Sequence, residues 1–197
     1  VVASSPAVLR ALNVVNNLCG AAGTFSLGTM TKSIFVQLTA EEVAHIQRLA
    51  RERNEFKESH GIKAKRFDST RTNYDIHVIG FGAELAVAKV YGVTEQLAKN
   101  VNRLGTDDGY DLIINGFKCE VKCRAKHHLD FILPNPNIEA FKADLGILVY
   151  LHENYLFEIY GVIGKKKLKR LGFVKEFEWG KRFICDKRHF VDPELLL

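Results

Sequence analysis

The chain has 197 residues, 47% of them hydrophobic, with a formal net charge of +5 and an isoelectric point near 9.0. That length suits one domain with a sizeable core, and no apolar run approaches the roughly 18–20 residues a membrane-spanning helix needs. The mild positive charge suits a polyanionic partner without requiring one.

Residues 1–29 carry a single charged residue, Arg10, whereas the rest of the chain is densely charged. There is no basic leader and no continuous apolar stretch of the kind a secretory signal needs. The only methionine, Met30, directly precedes a good strand over residues 31–38. The expectation is therefore a native start at Met30, a non-native or disordered extension over 1–29, and a single domain over 30–197. An amphipathic helix around Pro6 to Leu18 is the alternative.

Thr39-Ala40-Glu41-Glu42 forms a capping box, with Thr39 as N-cap and Glu42 three residues on. Val43, Ile46, Leu49, Ala50 and Phe56 keep helical spacing as far as Gly61. Residues 62–73 are basic and aperiodic, a loop whose Lys63, Lys65, Arg66 and Arg71 are candidates to track a phosphate backbone, although most such runs are simply solvated. A second helix is predicted over 75–91, stopping at Gly92. Its small residues Gly80, Gly82, Ala83, Ala86 and Ala88 allow close packing on a sheet. Glu84 lies in this apolar stretch, where an unpaired buried carboxylate would cost several kcal/mol. It needs a partner, or must reach solvent at the helix edge.

Asn115-Gly116 between two alternating apolar runs predicts a two-residue type I′ hairpin, because both central residues need positive φ. That register pairs Ile114 with Phe117, Leu112 with Cys119, and Asp111 with Glu120, and it sets Lys122 opposite Gly109. One face then carries Leu112, Ile114, Phe117, Cys119, Val121 and Cys123. The other carries Asp111, Ile113, Lys118, Glu120, Lys122 and Arg124. Opposed carboxylates repel, and a divalent cation between them would turn the repulsion into a binding site for a hard ion such as Mg²⁺. An ordinary exposed charged hairpin is the competing reading.

Of the four cysteines, Cys119 and Cys123 lie four apart on one predicted strand, roughly 13 Å between Cα atoms and so too far for a disulfide. They read as small core residues in a reducing, cytoplasmic setting. His127 and His128 follow the strand. Adjacent histidines face opposite ways, so a shared metal with Asp130 is disfavoured against phosphate contact or simple exposure. Residues 145–151 form a continuous apolar run, the signature of a central strand buried on both faces. Residues 155–163 read as its hairpin neighbour, turned by His152-Glu153-Asn154. A short basic helix follows over 164–170, and the remainder mixes charges with Phe173, Phe177, Trp179 and Phe183.

Asp111, eight intervening residues, and Glu120-Val121-Lys122 resemble the active-site signature of the PD-(D/E)XK nuclease superfamily. Tyr110 stands where that family places a proline. The resemblance implies an α/β fold, a mixed central sheet flanked by helices with a restriction-endonuclease-like core over roughly 39–163. It also implies an Mg²⁺-dependent DNA phosphodiesterase in which Mn²⁺ substitutes. Asp111 and Glu120 would hold the metal, the Val121 carbonyl would complete the shell, and Glu84 would act through water. Lys122 would position the attacking water or stabilise the charged phosphorus. Arg124 and Lys126 would grip the backbone near the scissile bond, and the basic stretches over 63–71 and 164–170 would attract DNA. A non-catalytic nucleic-acid-binding module on the same fold is the rival. The sequence leaves a homodimer open.

Overall fold

Both long helices begin at reciprocal caps. Thr39 Oγ1 accepts the Glu42 N–H at 3.2 Å while Glu42 Oε2 accepts the Thr39 N–H at 2.8 Å, starting α1 (Ala40–Ser59). Thr72 and Asp75 repeat the arrangement at 3.1 and 2.9 Å, starting α2 (Asn73–Tyr91) two residues earlier than its apolar pattern suggests. Gly92 closes α2 in the left-handed conformation, φ +69°. Lys89 Nζ reaches Glu42 Oε1 at 2.7 Å and ties the end of α2 to the start of α1. These features come from a computed structural model, which describes residues 32–61, 71–100, 109–125 and 129–197. The segment 1–29, Lys63, Lys65, Arg66, Lys126, His127 and His128 lie outside the described residues.

A mixed five-stranded sheet forms the centre, built from β1 (Ile34–Gln37), β2 (Leu112–Ile114), β3 (Phe117–Arg124), β5 (Leu145–Leu151) and β6 (Leu156–Gly164) in the order β1-β6-β5-β3-β2. Only β3 and β5 run parallel, joined by the long connection over 125–144 that a parallel pair requires. The hairpin turns at Asn115 (φ +50°) and Gly116 (φ +85°), and its register is Ile114–Phe117, Ile113–Lys118 and Leu112–Cys119, as the Asn-Gly pair predicts.

The apolar run in β5 is explained by two cores, one on each sheet face. Ile147 and Val149 join Ile46, Leu49, Ala83, Val87, Leu112 and Cys119 beneath α1 and α2. Leu148 and Tyr150 point the other way, among Phe131, Phe141, Ile163 and Phe183. The two long helices therefore share one face. The second face is covered by a three-stranded antiparallel sheet, β4 (Phe131–Leu133), β8 (Gly180–Cys185) and β7 (Phe173–Phe177), together with the short α3 (Lys165–Leu171). Gly82 lets α2 sit close against the central sheet: a Cβ there would lie 2.5 Å from Phe157 Cζ. Among the described residues, no helix is long and apolar enough to cross a membrane.

Candidate active site at the open edge of β3

β2 begins only at Leu112, opposite Cys119, whereas β3 continues to Arg124, so β3 beyond Cys119 has no β2 partner. The expected pairing of Asp111 with Glu120 is not formed. The Asp111 N–H instead donates to the Cys119 carbonyl at 2.8 Å, and Asp111 Oδ2 accepts the Val121 N–H at 2.7 Å. The carboxylate caps the first backbone donor that the short β2 leaves unpaired. Within an extended strand the N–H and C=O of one residue point to the same edge, so the Val121 carbonyl also turns toward Asp111. The repulsion expected between Asp111 and Glu120 is relieved internally, because Glu120 Oε1 accepts a charge-assisted hydrogen bond from Lys122 Nζ.

Gly109 takes φ +79°, and a Cβ there would meet the side chain of Lys142 at 2.7 Å, so its role is to admit that lysine. Tyr110 stacks beneath Lys118, whose Nζ lies 5.2 Å from the ring centroid.

A cavity of about 460 Å³ opens at this edge. Glu84 from α2, Asp111 ahead of β2, and Val121 and Lys122 from β3 all line it. Glu120 is not in the lining and acts through Lys122. Burial disfavours the Lys122 ammonium, but Glu120, Asp111 and Glu84 together outweigh it and raise the pKa, so the group stays cationic. Cys123 also lines the cavity, with its thiol pushed up to about 12, chiefly by burial, so it is not a thiolate nucleophile.

Of the basic residues singled out from sequence, Arg71 lines the cavity and Arg124 does not. The Arg124 Nε is buried without a hydrogen-bond partner, and burial lowers its pKa against the opposing pull of Cys123, Tyr150 and Asp130. α3 packs through Leu168 into the second core, away from this cavity, and Lys169 pairs with Glu139. Sequence reading overlooked three cavity residues, Arg53 and Lys57 on α1 and His77 on α2. Spacing held the signal: Arg53 and Lys57 are four apart, and His77 precedes Glu84 by seven, so each pair shares one helix face. Lys57 Nζ lies 3.2 Å from His77 Nε2. Burial first, then Lys57 and Arg53, lower the His77 pKa to about 4. Burial and Arg53 lower that of Lys57.

The oxygens of Glu84 and Asp111, with the Val121 carbonyl, are hard donors of the kind Mg²⁺ takes when it keeps several waters and uses one or two carboxylates. Among the described residues, no three acidic, histidine or cysteine side chains converge on one ion position. No family model, curated protein or solved structure matches the chain.

Proposed function

We propose that the protein is a metal-dependent nuclease of the PD-(D/E)XK type that hydrolyses DNA phosphodiester bonds. The observation that supports it most is the convergence of Glu84, Asp111, Val121 and Lys122, from α2 and two strands, on one cavity at an open sheet edge. Asp111 is oriented by the Val121 N–H, and Glu120 holds Lys122 in place. Lys122, kept cationic by three carboxylates, stabilises negative charge developing on the phosphoryl oxygens. In the reaction, a water oxygen bonds to phosphorus, the bond from phosphorus to the leaving sugar oxygen breaks, and that oxygen takes up a proton. A divalent cation held at Glu84, Asp111 and the Val121 carbonyl would supply Lewis acidity and lower the pKa of the attacking water.

A second reading draws on the Lys122–Glu120 pair, which neutralises Glu120 with no metal and so suits a nucleic-acid-binding module whose acids are structural. Single-turnover cleavage separates the two, using labelled linear, nicked, single-stranded and four-way-junction DNAs with Mg²⁺ or Mn²⁺. Asp111→Asn should lose metal affinity and cleavage together, whereas Glu120→Gln, which releases Lys122, should keep metal affinity and lose turnover. Lys122→Ala should keep metal binding and lose turnover with little change in DNA affinity. Cleavage unaffected by Lys122→Ala, or by excess chelator, favours the binding module.

A further inference from the structure

Aromatic rings and cations alternate on the outward face of the β7–β8 hairpin. Phe183 and Cys185 of β8 point into the second core. The cross-strand register sets Val174 opposite Phe183 and Glu176 opposite Lys181, so these four share the core-side face. The outward face carries Phe173, Lys175 and Phe177 of β7, with Arg182 of β8 opposite Lys175. β7 is the outer strand of its sheet, and Phe173 and Trp179 stay 53% and 41% exposed. The rings are ordered: Phe177 and Trp179 stack with centroids 4.4 Å apart and planes 14° from parallel. Arg182 donates to the carbonyls of Lys181 and Trp179 at 2.7 and 3.2 Å, and its guanidinium lies 4.8 Å from the Trp179 ring centroid. Lys175 Nζ lies 5.5 Å from the Phe177 ring centroid. Of the ribbon's two carboxylates, Glu176 is on the core-side face and Glu178 is in the turn.

We propose that this face binds a single-stranded nucleic acid, with unpaired bases stacked on Phe173 and on the exposed part of Trp179 and a phosphate at Lys175 between them. The ribbon does not line the cavity, so the inference stands whether the cavity cleaves or only binds. Every base has a π-face, and stacking on an aromatic side chain changes affinity on the order of five- to a hundredfold per base with little regard for sequence. Residues two apart on a strand are separated by about 6.8 Å, so Phe173, Lys175 and Phe177 present ring, cation and ring at steps that one extended nucleotide can span. Charge selects the occupant. Cations stand beside rings on a face without carboxylates, which suits a polyanion bearing flat apolar groups. Glu178 at the tip opposes insertion into an anionic lipid surface. Antiparallel pairing of the whole of β7 with a second copy is centred on Lys175 and would oppose two lysines.

Trp179 is the only tryptophan in the chain, so its emission reports on this surface directly. The test titrates the full chain, in chelator so that no cleavage occurs, with a short mixed-sequence single strand, as DNA and as RNA. Saturation should quench Trp179. The same strand annealed to its complement should quench far less, because its bases are already stacked on one another, and so should an abasic strand of equal length. Phe173→Ala should weaken single-strand binding at least fivefold. Lys175→Gln should reduce the slope of log affinity against log salt by about 0.7, the share of one phosphate contact. Circular dichroism verifies the fold of both variants. Unchanged emission with either strand, equal quenching by the abasic strand, or undiminished binding by Phe173→Ala overturns the proposal. A Trp179 response to anionic vesicles but not to the strands assigns the face to a lipid surface. A sedimenting dimer that Phe173→Ala dissociates assigns it to a second copy, and either result also overturns the proposal. None of these readings involves cleavage, so the nuclease reading stands or falls separately with Lys122→Ala.

Discussion

Acid should destabilise this protein through His77 before most of its carboxylates titrate. Its pKa falls from the ordinary 6.5 to about 4 in the folded state, because burial and the adjacent Lys57 and Arg53 oppose a further positive charge. A depressed folded-state pKa means that the unfolded chain binds the proton more readily. The contribution is thus fully present above pH 6.5 and is lost as pH falls toward 4. At about 1.36 kcal/mol per pKa unit the whole effect is about 3 kcal/mol, of which about 2 kcal/mol is lost by pH 5. Urea denaturation at half-unit steps from pH 7.5 to 4.5, in buffer without phosphate, would measure it on wild type and on His77→Gln. The wild-type curve should fall more steeply through this window, and the difference between the two proteins should change by about 2 kcal/mol between pH 7.5 and 5. Parallel curves would refute the reasoning, since they would mean that His77 titrates alike in both states.

The Lys122–Glu120 pair, 28% and 13% exposed, lies between surface and buried ion pairs, so Lys122→Met should cost about 2 kcal/mol, and adding Glu120→Gln should recover part of it in a double-mutant cycle. Gly82→Ala should destabilise by about 1–3 kcal/mol, less a helix-propensity gain below about 1, because its Cβ would strike the buried Phe157 ring. Two residues earlier on the same helix, a Cβ at Gly80 meets nothing within 4 Å, so Gly80→Ala should raise the melting temperature; two shifts of the same sign would contradict this packing. Replacing Gly116 by Val, at φ +85°, should destabilise the hairpin by about 1–3 kcal/mol, read by chemical denaturation.

Local chemistry fixed much of this protein in advance. The Thr39 capping box, the Gly92 stop, the Asn115-Gly116 turn and the doubly buried β5 run all depend on neighbours within a few residues, whose preferences the sequence displays directly. The Asp-to-Glu-X-Lys spacing likewise placed Asp111, Val121 and Lys122 near one another. Tertiary structure decided how they are used. β2 begins one residue after Asp111, so a carboxylate expected to face Glu120 caps Val121 instead, and Glu120 turns to Lys122. No local rule specifies where an edge strand ends, because that depends on what competes for its backbone groups. The β4-β8-β7 sheet was hidden for a related reason: β4 is three residues long and pairs with a strand about fifty residues away, too short a run to show periodicity. The basic wall of Arg53, Lys57, Arg71 and His77 was equally out of reach, since two helices and a loop become one surface only when they pack on the same sheet.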